Sequence, residues 1–161
     1  MDDFTIIDLI MIPREVLADA IDFLRSAGIG GIEAIVLFGG EQNDSRYQVK
    51  QLLIPVQKTC NTARGSMFHV GSDELSMIDS WLIENKLSLF CQMCSYQGDA
   101  SESTAEDQYC IVTSAGGMSV GVPNLAQGNV DPANWAVYRL DQGCGWYRVG
   151  EQEISKIIQI V

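Results

Sequence analysis

At 161 residues and 47% apolar composition the chain can bury one sizeable core but is too short for two ordinary domains, so a single domain over 1–161 is expected. Its 21 acidic residues against 10 basic ones, a net charge of −11, repel phosphate backbones and exclude nucleic acid as an expected partner. No apolar run approaches the roughly 20 residues that span a bilayer, and the opening Met1–Pro13 begins with two acids where an export signal needs a basic start, so no membrane contact and a reducing cytoplasm are expected.

Pro13 suits a first helical turn, and Val16, Leu17, Ala20, Phe23, Leu24 and Ala27 recur at helical spacing until Gly28 ends the pattern. Ile32 to Phe38, β-branched and set between Gly30-Gly31 and Gly39-Gly40, predicts a buried strand carrying Glu33. A second strand is expected over about Gln48 to Val56 after a polar turn, and Lys58 to Ser66, without period, reads as a loop. Ser72 resembles a helix cap, followed by Asp73 and Glu74 at the positive end of the dipole and an apolar stripe of Leu75, Ile78 and Leu82 that closes at Asn85-Lys86. Leu87 to Tyr96 alternates, with Leu87, Leu89, Cys91 and Met93 on one face of a strand and Phe90, Gln92, Cys94 and Tyr96 on the other. Short apolar segments follow at Tyr109 to Thr113 and Met118 to Val122. A hairpin is expected from Trp135–Leu140 and Trp146–Val149 around Asp141 to Gly145, and a terminal helix from Ile154, Ile157, Ile158 and Val161. Helices interspersed among hairpin-linked strands imply an α+β fold with a mixed central sheet flanked by helices.

Cys91 and Cys94 form a CxxC spacing, yet a structural zinc knuckle needs four closed ligands and both thiolates turned inward, whereas strand alternation sends these two sulfurs apart. A thiol nucleophile at Cys94 would need His69, the one histidine in the chain, as its base. The plainer reading makes strand cysteines small core hydrophobes, which suits Cys91 and Cys110, and the odd count of five needs no disulfide framework. The three tryptophans and Met77 and Met93 likewise read as packing residues. Glu33 stands out because a carboxylate in an apolar strand is costly unless it is paired or used.

Glu33 in an apolar strand ending Gly39-Gly40, then Cys94-x-Tyr96, Thr104 and Asp107, together with Ser119-x-x-x-Pro123, Tyr138-Arg139-Leu140 and Gly145-Trp146, resembles the JAB/MPN (Mov34) metalloprotease domain, over about residues 5 to 160. The likeness is closest to stand-alone bacterial members found beside ubiquitin-like conjugation components. It implies a cytidine-deaminase-like α/β/α architecture. It also implies a zinc held by a His-x-His pair and an aspartate, a glutamate acting as general base, and a serine that supports the oxyanion. Counted from Cys94, Tyr96 is two on, Thr104 ten on and Asp107 thirteen on, the register of the family, but both histidine positions are replaced. Cys94, Tyr96 and Asp107 thus stand at ligand positions, and Glu33 with Thr104 or the neighbouring Ser103 at catalytic ones. A phenol with a pKa of about 10 is a poor zinc ligand at neutral pH, so a catalytically degenerate domain with no bound cofactor is expected. Its role would be to bind or scaffold a ubiquitin-like protein or a component of its conjugation machinery, as an extended tail at a sheet edge or within a homo- or hetero-oligomer. The alternative is an active isopeptidase that holds zinc with the altered set Cys94, Tyr96 and Asp107.

Overall fold

The computed structural model describes residues 3–62, 65–99, 103–105, 108–142 and 145–161, with 61–62 and 65–67 described by their main chain alone. Its elements in chain order are β1 (Leu9–Ile12), α1 (Arg14–Ile29), β2 (Ile35–Asn43), β3 (Arg46–Leu53), β4 (Lys58–Thr62), β5 (Gly65–His69), α2 (Ser72–Glu84), β6 (Ser88–Ser95), β7 (Met118–Val122), β8 (Ala136–Leu140), β9 (Trp146–Arg148), α3 (Glu151–Ile157) and β10 (Ile158–Ile160). Eight strands form one sheet in the order β10-β1-β3-β2-β6-β7-β8-β9, and β4 and β5 pair as a separate hairpin. The sheet is mixed: β1 runs parallel to both β10 and β3, β6 runs parallel to β7, and the other neighbours are antiparallel.

Period-two alternation divides the apolar residues between two faces. On one, Ile10, Ile12, Val36, Phe38, Val49, Cys91, Met93, Val120 and Val137 join Ala20, Ile21 and Leu24 of α1 and Ile154 of α3. On the other, Ile35 and Leu37 meet Phe68 and Val70, with Leu75 and Ile78 of α2 packed against them. Helices therefore cover both faces of a mixed central sheet, the α+β architecture expected from the order of elements.

Several boundaries differ from the sequence reading, each for a local reason. α1 passes through Gly28 and stops at Gly30, with Gly31 taking φ +76°. β2 starts at Ile35 rather than Ile32 and runs on through Gly39-Gly40, where its pairing with both β3 and β6 shifts register. Glu33 thus precedes the strand instead of lying inside it. Lys58–His69 is a hairpin rather than a loop, built by β4 and β5. The expected terminal helix ends at Ile157, and Ile158–Ile160 becomes an edge strand beside β1, an element the sequence reading did not foresee. The register shift between Phe38 and Gly39 moves Phe90 to the Cys91 face, where its ring meets Phe4 and Tyr47, while Leu89 joins the other cluster. Cys91 and Cys94 still point to opposite faces. Cys110 and Met77 are exposed rather than packed, and Trp81 is partly exposed; Trp135 and Met93 are buried.

Two features mark the periphery. Arg139 of β8 is buried with its guanidinium on three main-chain carbonyls, those of Gly116 (2.6 Å), Ile7 (3.0 Å) and Phe4 (3.0 Å), and 5.4 Å over the Phe90 ring, so it holds the amino-terminal segment to the sheet. After β7 the chain makes a left-handed turn in which Asn124, Leu125 and Ala126 take φ of 57°, 54° and 60°. Each L-residue in this region costs about 1–2 kcal/mol, so surrounding contacts must hold the turn in place.

Candidate functional site

The carboxyl-terminal ends of β6 and β7 and the segment leading into β2 meet at one place. Ile35 pairs with Cys94, and Cys94 with Gly121. Ala34 fixes this meeting, its N–H donating to Ser95 Oγ (3.0 Å) and its carbonyl accepting from the Ser95 N–H (3.0 Å). The Gln57 side chain takes both main-chain groups of Ile35, at 2.9 and 3.0 Å, which ends the ladder there and sets Glu33 just outside it. Half-buried Glu33 accepts from the Gln97 N–H at 3.4 Å.

Glu33, Cys94 and Tyr96, which sequence reasoning linked through the family resemblance, are therefore brought together. Burial pushes the Cys94 thiol well above its ordinary range, and the Glu33 carboxylate pushes it further. Tyr96 continues the pairing beyond β6, its N–H donating to Val122 O (3.1 Å), and its ring lies so close to Gly121 that a Cβ there would sit 2.8 Å from a ring carbon. His69 does not serve Cys94: its Nδ1 lies 3.5 Å from the Tyr109 hydroxyl, and no hydrogen bond joins it to the thiol among the described residues. A thiol held protonated and without a base is the reverse of an activated nucleophile.

Ser103 and Thr104 part company. The Ser103 hydroxyl lies 2.9 Å from that of buried Tyr138, which also accepts from Arg148 (3.3 Å), whereas Thr104 is exposed and offers its carbonyl to Gln108 Nε2 (3.0 Å). Asp107 lies outside the described residues. Behind Ser103 runs a polar chain that sequence reasoning missed: Gln108 Oε1 accepts from Ser119 Oγ (2.9 Å), and Ser119 Oγ accepts from Gln92 Nε2 (3.2 Å). Fully buried Gln92 also donates to the Tyr109 carbonyl, and its Oε1 accepts from the N–H groups of Ile111 and Val112, both at 3.0 Å. These bonds explain why Tyr109–Thr113 is no strand: its main chain is satisfied by a side-chain amide. A glutamine amid LFCQMC was the available signal, since a polar residue in an apolar strand must be matched inside.

The donors at the strand end depart from the usual set of a hydrolytic zinc: a thiol and a phenol stand there in place of imidazoles, and no group of three or more His, Cys, Asp or Glu is placed to hold a metal among the described residues.

No protein-family model matches the chain. The solution structure of protein DSY2949 from Desulfitobacterium hafniense superposes with a TM-score of 0.60 over 95% of this chain and 93% of that one at 14% identity, a likeness of fold alone. The probable metalloprotease y4jG of Sinorhizobium fredii is 33% identical over 151 residues, 94% of this chain and 93% of that protein. At that identity and coverage, the chain belongs to the same metalloprotease-like family as the Sinorhizobium fredii protein.

Proposed function

We propose that this is a JAB/MPN-type domain whose metal centre is degenerate and which works as a binding or scaffold module for a ubiquitin-like protein or its conjugation machinery. One observation supports the reading: Glu33, Cys94 and Tyr96 share the strand end, and a thiol and a phenol stand at the two positions that the family resemblance assigns to metal ligands. Glu33 serves as a hydrogen-bond acceptor for the Gln97 N–H. The net charge of −11 suits a partner with a basic tail. The test is the zinc content of the purified protein by mass spectrometry, together with pull-down of ubiquitin as the probe. Substoichiometric zinc with retained ubiquitin binding supports the reading; one tightly held zinc per chain overturns it. Replacing both positions, Cys94→His with Tyr96→His, is expected to restore zinc uptake.

A second reading is favoured by the relative named a probable metalloprotease: an active isopeptidase with the altered ligands Cys94, Tyr96 and Asp107, and with Thr104 or Ser103 beside the reacting carbonyl. It requires cleavage of a ubiquitin fusion that both a chelator and Glu33→Gln abolish. Cleavage indifferent to the two removes it.

A further inference from the structure

The left-handed turn at Asn124–Ala126 lies beside the candidate site, and its main-chain N–H groups point into it. Asn124 N–H donates to the Gly98 carbonyl and Leu125 N–H to the Tyr96 carbonyl, both at 2.9 Å. Together with Tyr96 N–H on Val122 O and Gln97 N–H on Glu33 Oε1, these two bonds fasten the main chain of Tyr96–Gly98. Neither Leu nor Ala has a side-chain polar group to ease positive φ, so the conformation has to be imposed from outside.

The imposing contacts come from α1. Arg25 Nε donates to the Ala126 carbonyl (2.9 Å) and its Nη2 to the Gly128 carbonyl (3.1 Å). Gln127 answers from the turn, its Nε2 donating to the Arg25 carbonyl (2.9 Å) and to the Leu125 carbonyl (2.8 Å). Gly28 makes room, since a Cβ there would fall 2.2 Å from Leu125 O. Ala126 is fully buried in the main core, which anchors the far end of the turn.

We infer that Arg25 and Gln127 are positioning residues: by holding residues 124–126 left-handed, they fix the Tyr96–Gly98 main chain and, with it, the Tyr96 ring on Gly121. That this segment belongs to a working site rests on the reading above; the positioning itself does not. Strain held by a pin makes a distinctive demand, because glycine adopts positive φ freely and should make the pin unnecessary.

The experiment is NMR on the full chain. In Arg25→Ala, amide exchange at Gln97, Asn124 and Leu125 is expected to rise at least about tenfold, and the ring-current shift of the Gly121 α-protons under Tyr96 to fall by more than half, with β2 and β3 amides unchanged. Adding Leu125→Gly and Ala126→Gly to Arg25→Ala is expected to bring both readouts back to within about threefold of the parent. A generic stabilising role for Arg25 predicts further loss from the added glycines, and that result overturns the inference, as does an unchanged Gly121 signal in Arg25→Ala. Should Arg25→Ala fail to fold, Gln127→Ala, altering an exposed side chain, is held to the same expectations and the same rescue. No ligand enters these measurements, so absence of ubiquitin binding sinks the functional reading alone, and absence of glycine rescue sinks the positioning alone.

Discussion

Gln92 and Cys94 leave β6 two residues apart on the same face, and their surroundings treat them in opposite ways. Gln92 has both amide hydrogens donated and its oxygen accepting twice, all within the 109–119 region. Cys94, facing a carboxylate, has its thiol pushed up by burial and by Glu33 and so favours the neutral form. Order at Tyr109, Ile111 and Val112 therefore comes from a neutral amide. A buried amide that satisfies several main-chain groups at once fixes the segment around it through neutral hydrogen bonds.

The largest expected effect tests the amide. Gln92→Leu leaves the Tyr109 carbonyl and the Ile111 and Val112 N–H groups without their partner, and at about 1–3 kcal/mol per unsatisfied buried group the loss in urea unfolding should reach at least about 3 kcal/mol. A loss under about 1 kcal/mol would mean that water substitutes for the amide, and the contrast between the two residues would disappear.

A smaller effect comes from pH. Burial raises the fully buried Cys91 thiol, with the neighbouring Cys94 adding to it and the nearby Arg139 opposing. A group whose folded pKa is raised contributes stability that is complete below its unfolded pKa of about 8.5 and is lost as pH climbs toward the folded value. Stability should therefore fall above about pH 8.5, by up to about 1.4 kcal/mol per pH unit for this thiol. Comparison with Cys91→Val isolates the contribution, since tyrosines and lysines titrate in both proteins; equal alkaline slopes would show that the thiol is not involved.

The mildest test is kinetic. At pH 8, iodoacetamide should modify the exposed Cys60 and Cys110 at least about tenfold faster than Cys94, and Cys91 more slowly still. Mass spectrometry resolves the order. Fastest reaction at Cys94 would reveal an activated sulfur and restore the thiol-enzyme alternative.

Part of the fold and of the candidate site was legible in the sequence, and the illegible part has physical causes. α1 and α2 could be read because an apolar stripe at helical spacing survives any packing partner. The opposite orientation of Cys91 and Cys94 followed from alternation, and it holds because the pairing is regular from Cys91 to Cys94. Phe90 was misplaced because the register shift at Phe38/Gly39 inverts the alternation upstream, an irregularity that pairing creates and composition does not signal. β1 reads simply as apolar, since a strand between two parallel neighbours shows no amphipathic rhythm, and β4 and β5 are too polar to betray a hairpin. At the candidate site, the family resemblance linked Cys94, Tyr96 and Glu33, but Gln92, Ser119, Gln108 and Tyr138 are joined only through tertiary contacts between segments far apart in the chain.

The place of β1 has a consequence for how the sheet assembles. Ile10 is flanked by Tyr47 on one side and Ile158 on the other, both in parallel, so this strand must wait for a partner almost the full chain away. Closing so long a loop is entropically slow, and parallel pairing offers no tight turn to begin from. The β2–β3 hairpin can zip locally, and in refolding followed by pulsed deuterium labelling its amides should acquire protection ahead of those in β1 and β10, which complete the sheet as its last-formed margin.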